Sequence, residues 1–225
     1  MGKKLISEQD ILKAHRSGLR SIEIDAETVV TPAARDAAQS YGIPLVQSRP
    51  GQASANRFFE SVQLHSPSTP SSKQKSVIAV GSDHGGFQLK EIIKQSLLEM
   101  GYSVADVGTH SDEACDYPDF AYAVGVLVAN GNTDRGIMID AIGIASAIVA
   151  NKVPGIRAVP CWNEFVARSS REHNDANVLT LGGRVIGTEL AKAIVKAWLE
   201  TDFAGGRHQG RVRKISDVEK KTLTG

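Results

Sequence analysis

The stretch Gly136-Ile137-Met138-Ile139-Asp140-Ala141-Ile142-Gly143-Ile144-Ala145-Ser146 decides the fold. Its apolar run is typical of a strand that is covered on both faces, and it leads through a turn of small residues into a helical pattern. Similar apolar runs, each followed by a helical pattern, recur on both sides of it. Strands that alternate with helices form a parallel sheet with right-handed crossovers, and ligands bind beyond the carboxyl ends of such strands. Asp140 is therefore predicted to lie at the mouth of an α/β fold.

Residues 76–225 are predicted to form this fold as one domain. The apolar runs predict strands at residues 77–80, 103–107, 136–139, 156–159 and 178–181. The helical patterns between them predict helices at about residues 87–100, 118–129, 143–152, 164–172 and 189–199, with a last short helix at 216–223.

Two further parts precede this domain. Residues 1–47 predict a small α/β module, with a helix that starts near Ser7, a strand at 21–25, a helix that starts at Thr31-Pro32 and a short edge strand at 43–46. A module of this size cannot hold much core alone. Residues 48–75 are predicted to be a linker, because the stretch 66–72 is nearly all Ser, Pro and Thr and cannot bury enough apolar surface to order itself.

The composition restricts the class of protein. The chain has 225 residues, a net charge of +1, 41% hydrophobic and 23% charged residues, which are ordinary values for a globular protein. The nearly neutral charge gives no reason to expect a nucleic acid or an anionic membrane as partner, and no apolar run reaches the roughly 18 residues of a membrane span. Cys115 and Cys161 are too few for a disulfide framework and favour a cytoplasmic location, and no pair of Cys and His has zinc spacing.

A first candidate ligand site is Asp83-His84-Gly85-Gly86, directly after the first strand of the domain. The two glycines let the backbone approach a ligand closely, and the following helix offers free N–H groups to an anion. The pattern lacks the GxGxxG spacing of dinucleotide sites, so no dinucleotide is predicted. A buried structural pair of Asp83 and His84 is the alternative.

A second group of candidates is rich in Arg and His. His173, in the polar segment 171–177, is suited to move protons near neutral pH, although a surface turn would also explain this segment. Other basic side chains lie close to glycines, namely Arg184, Arg207, His208 and Arg211. Planar guanidinium groups suit a phosphate, and a solvated basic turn is the alternative.

Five blocks of the sequence carry a family resemblance. They are GSDHGGF at 81–87, CDYPDFA at 115–121, ANKVPGIR at 150–157, REHNDANV at 171–178 and GGRH at 205–208. Together they resemble the ribose-5-phosphate isomerase B family, which also contains the galactose-6-phosphate isomerase subunits. The blocks stand in the family's order and cover roughly residues 76–215, so the resemblance is specific at the level of the family.

The resemblance implies a Rossmann-like three-layer sandwich with a five-stranded parallel sheet, and a homodimer or homotetramer whose active sites are shared between subunits. It implies the isomerisation of an aldose phosphate to a ketose phosphate through an enediolate, without a metal or another cofactor. It also implies that Asp83 holds sugar hydroxyls, that His84, Arg184, Arg207 and Arg211 surround the phosphate, that His173 assists ring opening, and that Asn174 steadies the open chain.

The chain departs from the family at the centre of the site. Many members have a Cys, taken as the base that moves the proton between C1 and C2, where this chain has Asp140, and a Gly-Thr-Gly-x-Gly loop where it has residues 141–145. Other members place an acidic base at the position of Ser146. Asp140 is therefore the predicted base, with burial against the two isoleucines of the loop favouring this use and the N–H groups around Gly143 stabilising the enediolate oxygen. The alternative is that Asp140 caps the following helix in a degenerate site.

The predicted function is an isomerase of phosphorylated sugars, with ribose 5-phosphate and ribulose 5-phosphate as the first choice. A six-carbon or deoxy sugar phosphate, because the loop is reshaped, and a non-catalytic scaffold that binds a sugar phosphate are the alternatives. The stretch 30–38 resembles a short module on some proteins of bacterial microcompartments, which suggests a shell or cargo protein as partner and a location inside such a compartment. An accessory dimerisation domain is the alternative for residues 1–47.

Overall fold

The computed structural model describes residues 5–6, 11, 22–24, 28–41, 43–47, 63–65 and 76–223. The chain forms two compact units, Met1–Glu60 and Ser61–Gly225. Within the described ranges, none of the helices has the length and hydropathy that a bilayer span requires.

The first unit pairs short strands in parallel. Its elements are β1 (Leu5–Ile6), β2 (Ile22–Ile24), β3 (Val29–Val30), α1 (Pro32–Ser40) and β4 (Leu45–Gln47). The strand β1 pairs with β3, and β2 pairs with β4. Buried side chains form a small core between these elements, namely Ile6, Ile11, Val30, Ala34, Ala37, Ala38 and Ile43.

The sequence of α1 explains where this helix starts and which face it buries. Thr31 lies at the N-cap, where its Oγ1 accepts a hydrogen bond from the N–H of Ala34 at 3.2 Å, and Pro32 occupies the first turn. The three buried alanines of α1 lie on one side of the helix, because residues three and four apart share a face. The predicted start at Thr31-Pro32 is confirmed, whereas the predicted start near Ser7 lies outside the described residues.

The second unit is an α/β sandwich. Its strands are β5 (Gln63–His65), β6 (Val77–Ser82), β7 (Ser103–Asp106), β8 (Arg135–Asp140), β9 (Ala158–Pro160) and β10 (Val178–Gly182). Its helices are α2 (Phe87–Glu99), α3 (Tyr117–Ala129), α4 (Ile144–Ala150), α5 (Glu164–Asn174), α6 (Thr188–Glu200) and α7 (Arg207–Leu223). The strand order is β5-β7-β6-β8-β10-β9, in which β5 runs antiparallel and the other five strands are parallel. The predicted Rossmann-like fold with a five-stranded parallel sheet is thus confirmed.

The main core lies between the sheet and the layer formed by α2, α5 and α6. Alternate strand residues point into this core, as Ile137 and Ile139 do in β8, and Trp198 of α6 is fully buried there. Each fully buried Ile stabilises the fold by about 1.5–3 kcal/mol relative to an exposed one. The residues between them point to the opposite face, toward α3 and α4. Asp140, at the end of β8, belongs to this second set.

The strand β5 lies inside the segment 48–75, which is predicted to be a linker. Its residues pair with residues 104–106 of β7. Without β5, the strand β7 would present a row of unpaired backbone N–H and C=O groups at the edge of the sheet, so this pairing satisfies groups that would otherwise need water or another chain. Three residues carry too short an alternation for a strand to be predicted from the sequence.

The helix α7 starts at Arg207, well before the helix predicted at 216–223. Gly205 and Gly206 precede it with φ values of 61° and 53°, in the left-handed region that glycine adopts readily. The GGRH block is therefore the entry to a helix. It places Arg207, His208 and Arg211 in the first turns of α7 and not in a loop.

Candidate active site

The carboxyl ends of the adjacent strands β6, β8 and β10 form the centre of the candidate site. Backbone hydrogen bonds join the segments that follow these strands. The N–H of Asp83 donates to the carbonyl of Ile139 at 3.3 Å, and the N–H of Gly183 donates to the carbonyl of Asp140 at 2.7 Å. These bonds bring Asp83, Asp140 and the next residue along, Arg184, to one edge of the sheet.

Asp140 is 4% exposed, and its carboxylate accepts four hydrogen bonds from its own loop and from the first turn of α4. Oδ1 accepts from the N–H groups of Ile142, at 2.7 Å, and of Gly143. Oδ2 accepts from the N–H of Ser146 at 3.0 Å and from its hydroxyl at 2.5 Å. A carboxylate offers about four lone-pair sites, so these donors occupy Asp140 completely.

Two amides of the loop are therefore engaged by the protein itself. The N–H groups of Ile142 and Gly143, which belong to the set that is predicted to stabilise an enediolate oxygen, donate to Asp140 instead. The prediction that the isoleucines of the loop bury Asp140 is wrong, because Ile142 and Ile144 are 54% and 56% exposed. An Asp side chain is short enough to turn back onto N–H groups two and three residues ahead, and a helix start attracts negative charge. The contacts are close to those of the alternative role: Gly143 occupies the N-cap position of α4, and Asp140, three residues before it, accepts the N–H of Ser146 in the first turn.

Asp83 lies beside Asp140 at the mouth of the sheet. The residues before them, Ser82 and Ile139, are register partners in β6 and β8, and paired residues of neighbouring strands point to the same face. Asp83 is 6% exposed, and its Oδ1 accepts the N–H of Gly86 at 3.0 Å. Burial raises the pKa of Asp83 and the charge of Asp140 adds to this effect, while backbone hydrogen bonds and the neighbouring His oppose it.

His84 and Arg184 lie at the same edge. The Nδ1 of His84 is 3.3 Å from the backbone nitrogen and 3.2 Å from the carbonyl oxygen of Cys115, so the backbone holds this ring nitrogen. Within the described part of the chain the other ring nitrogen, Nε2, makes no hydrogen bond, so it can contact a ligand. Arg184 is exposed beside Gly183, where a Cβ would lie 2.8 Å from the carbonyl oxygen of Gly85. The two loops approach so closely that Gly183 has to be a glycine.

A second cluster of predicted residues surrounds the start of α7. The rings of His173 and His208 are stacked, with their centroids 4.3 Å apart and an angle of 13° between their planes. The Nε of Arg207 donates to Nε2 of His208 at 3.3 Å. Burial and the nearby positive groups of His173, Arg207 and Arg211 lower the pKa of His208. The cluster is a concentrated positive site of the kind that binds phosphate.

The two clusters lie at opposite edges of the sheet. His173 and Asn174 end α5 and come directly before β10 starts, so they lie at the amino edge, and α6 returns the chain to the same edge before α7. The carboxyl edge holds Asp83, His84, Asp140, Gly143 and Arg184. The amino edge holds His173, Asn174, Arg207 and Arg211. One copy of the chain therefore does not bring all predicted site residues together.

The role of one residue in these clusters escaped prediction from the sequence. Ser146 is excluded there as a base, yet it supplies two of the donors to Asp140. The sequence feature that indicated this role was the hydroxyl of Ser146 in the first turn of the helix that follows Asp140. His208, by contrast, is one of the basic candidates that the sequence predicts, and the structure stacks its ring on His173. Among the described residues, no group of three or more His, Cys, Asp or Glu side chains is arranged to hold a metal ion.

Comparison with known proteins identifies the family. The family model described as Ribose/Galactose Isomerase matches residues 78–215. The chain belongs to this family. The matched range covers the parallel sheet from residue 78 onward and both clusters of candidate residues, and membership confirms the predicted class of enzyme, an isomerase. The match begins after the first unit of the chain.

Three relatives illustrate the match. Ribose-5-phosphate isomerase B of Escherichia coli (strain K12) is 51% identical over 144 residues, which are 64% of this chain and 97% of that protein. D-erythrulose-4-phosphate isomerase of Pectobacterium atrosepticum is 42% identical over 143 residues, which are 63% of this chain and 94% of that protein. The solved structure of ribose-5-phosphate isomerase B from Clostridium thermocellum is 54% identical, covers 65% of this chain and 99% of its own, and gives a TM-score of 0.64.

Proposed function

We propose that the protein interconverts an aldose phosphate and a ketose phosphate, with ribose 5-phosphate and ribulose 5-phosphate as its substrates. One observation carries the proposal. Two buried carboxylates, those of Asp83 and Asp140, lie side by side at the mouth of the sheet, where an isomerase needs a group that moves a proton next to a carbonyl. The name of the E. coli relative supports ribose 5-phosphate. The Pectobacterium relative is named for a four-carbon sugar, so the sugar is itself part of the proposal.

The complete site is expected to form between two copies of the chain. The carboxylates lie at one edge of the sheet and the Arg and His cluster at the other, and both must contact one small molecule. In a two-fold dimer, the amino edge of each copy faces the carboxyl edge of the other and two identical sites result. Exposed apolar side chains beside the mouth support a covered surface there, namely Ile142, Ile144 and Ile148.

In this arrangement each side chain has a chemical task. The phosphate is bound by His84, Arg184, Arg207 and Arg211. His173 opens the sugar ring by proton transfer, and Asn174 holds the open chain. A carboxylate then removes the proton from C2 to form the enediolate. Asp140 stays the predicted base. To accept the proton it must lose one of its four hydrogen bonds, and breaking such a bond to a charged group costs about 1.5–3 kcal/mol.

A single experiment tests the proposal. The full-length protein is incubated with ribose 5-phosphate in heavy water, and proton NMR follows the formation of ribulose 5-phosphate and the loss of the C2 proton signal. Both are expected. In the same assay, erythrose 4-phosphate and hexose 6-phosphates are expected to turn over more slowly. Faster turnover of one of these sugars would contradict the choice of ribose 5-phosphate.

A matched pair of variants tests the phosphate cluster. Arg211→Gln is expected to raise KM for the sugar phosphate, because it removes a guanidinium from the cluster at the start of α7. Arg213→Gln changes an exposed arginine of the same helix and is expected to leave KM as it is. Equal effects of the two substitutions would show a general effect of charge and would remove Arg211 from the binding site.

The occupied loop amides favour a second candidate function, a scaffold that binds a sugar phosphate without turnover. The donors around Gly143 are engaged by Asp140, so an enediolate oxygen would lack them. Binding of ribose 5-phosphate in a calorimeter, without product and without deuterium uptake, would assign this function. Turnover would exclude it.

The first unit is proposed to attach the enzyme to a microcompartment shell or cargo protein. The resemblance of residues 30–38 to modules on such proteins supports this role. The family match starts at residue 78 and therefore does not include this unit. A cytoplasmic location, inside or outside such a compartment, stays a prediction as well.

A further inference from the structure

The two carboxylates at the mouth of the sheet have different surroundings. Asp140 accepts four hydrogen bonds from its loop and from the start of α4. Among the described residues, the donors to Asp83 are the backbone N–H groups of Gly86 and Gly85. Because a carboxylate has about four lone-pair sites, Asp83 keeps sites free and Asp140 does not.

We propose that Asp83, and not Asp140, carries the proton between C1 and C2 of the sugar, while Asp140 holds the loop at the start of α4. This inference rests on the proposed isomerase function and changes the assignment of its base. A group that removes a proton from carbon needs a free lone pair, which Asp83 has. It must also lie at the reaction centre, and the register of β6 and β8 places Asp83 there beside Asp140.

The charge of Asp140 makes Asp83 a stronger base. Burial raises the pKa of Asp83. The neighbouring carboxylate of Asp140 raises it further, because two negative charges close together repel each other. The N–H groups of Gly86 and Gly85 and the charge of His84 act in the opposite direction. A pair of carboxylates in unlike surroundings divides into one group that exchanges protons and one that does not.

The proton transfer balances without a co-reactant. The C2–H bond of the open-chain aldose breaks, its proton goes to a free carboxylate oxygen of Asp83, and its electron pair forms the C1=C2 double bond. The carbonyl electrons move to O1. The proton on O2 then shifts to O1, the C2–O2 carbonyl forms, and Asp83 returns its proton to C1. The carboxylate of Asp83 is regenerated, and the ketose leaves.

Two single substitutions in the full-length protein test this assignment. Asp83→Asn is expected to lower kcat by roughly 10²–10⁴-fold and to abolish deuterium uptake at C2. The dissociation constant of ribose 5-phosphate, measured by calorimetry, is expected to change by no more than about threefold, because Asn keeps the size and polarity of the side chain. Asp140→Asn keeps one oxygen for the N–H groups of Ile142 and Gly143, removes the charge and replaces Oδ2 by an NH₂ group that faces Ser146. It is expected to lower kcat by about tenfold and to retain uptake at C2.

The outcomes separate this inference from the proposed function. Absence of turnover in the wild-type protein would overturn both. Turnover in the wild type, with uptake lost in Asp140→Asn and kept in Asp83→Asn, would overturn the inference alone. So would an Asp83→Asn variant that binds sugar weakly but keeps its kcat, because Asp83 would then only hold hydroxyls.

Circular dichroism verifies that each variant is folded. If Asp140→Asn does not fold, Ser146→Ala replaces it. Removing the hydroxyl from Oδ2 of Asp140 is expected to leave kcat within about threefold, and a larger change would make Asp140 the carrier.

Discussion

The hydroxyl of Ser146 donates a hydrogen bond to Oδ2 of Asp140 at 2.5 Å, and both side chains are buried. The contact links the end of β8 to the first turn of α4, across the loop in which this chain departs from the isomerase pattern. Because of it, the carboxylate of Asp140 is part of the framework of the mouth. Asp140 thus stabilises the fold, and its contribution can be measured.

Ser146→Ala removes this hydrogen bond and leaves the carboxylate with three donors. We expect the free energy of unfolding to fall by about 1.5–3 kcal/mol, the usual contribution of a hydrogen bond to a charged group. Urea unfolding followed by circular dichroism measures it. Ser216→Ala is the matched control, because its hydroxyl donates a long hydrogen bond of 3.4 Å to the helix carbonyl of Val212, and a change within about 0.5 kcal/mol is expected. Equal losses in the two variants would show that the Ser146 contact has no special weight.

Lys90 and Asp106 form a fully buried ion pair, with Nζ 2.7 Å from Oδ2. Burial alone would raise the pKa of Asp106, but hydrogen bonds from Lys90 and Lys94 hold it below its ordinary value of 3.8. Since the unfolded chain then binds the proton more readily, the stabilisation is complete above about pH 3.8 and is lost as the pH falls through the lower pKa of the folded state. We therefore expect the stability of the wild type to fall more steeply below pH 3.8 than that of Asp106→Asn.

Urea unfolding at a series of acid and neutral pH values measures this difference. Asp112→Asn changes an exposed carboxylate and serves as the control, whose stability is expected to follow that of the wild type over the whole range. Parallel curves for the wild type and Asp106→Asn in acid would rule out the pair as a source of acid sensitivity.

A mixing experiment tests whether the two edges of the sheet serve one site. Asp83→Asn damages the carboxyl edge and Arg207→Gln the amino edge. When equal amounts exchange subunits, half of the dimers are mixed and each mixed dimer has one intact site, so about one quarter of the wild-type activity is expected to return. The assay uses substrate well below KM, where Arg207→Gln is weakest relative to the wild type.

The control for this experiment combines two lesions of the same edge. A mixture of Asp83→Asn and Arg184→Gln cannot form an intact site and is expected to recover nothing. If neither mixture regains activity although mass spectrometry shows mixed dimers, the two edges belong to separate sites and the shared arrangement is wrong.

The parallel sheet was predictable because burial leaves a direct trace in the sequence. A strand such as Val77–Ser82 is covered on both faces, so it is a continuous apolar run, and the helices between the strands show their own period. Several features escaped prediction. The strand β5 is too short to carry a pattern, the start of α7 depends on two glycines with positive φ, and the bounds of α4 shift by one or two residues at each end.

The place of the candidate residues was partly predictable. Asp83, Asp140 and Arg184 follow strands, and the carboxyl ends of parallel strands meet at one edge. His173 and Arg207 lie at the other edge, because α5 and α6 run from the carboxyl edge of the sheet back to its amino edge. The stacking of His173 on His208 could not be predicted from the sequence, because it depends on how the rings of two side chains from different helices are oriented.

By itself, the order of residues determined the α/β class, the number of parallel strands and the place of Asp140 at the carboxyl edge of the sheet. These depend on periodic burial summed over many positions, which tolerates local error. Only the folded arrangement decided that Asp140 is enclosed by donors while Asp83 keeps free lone pairs, and that the phosphate cluster is separated from both. A hydrogen bond depends on the direction of the donor and on donor–acceptor distances that differ by tenths of an ångström. The backbone turn at Gly143, with a φ of 88°, sets these directions and distances around Asp140, and the spacing of residues in the sequence does not reveal them.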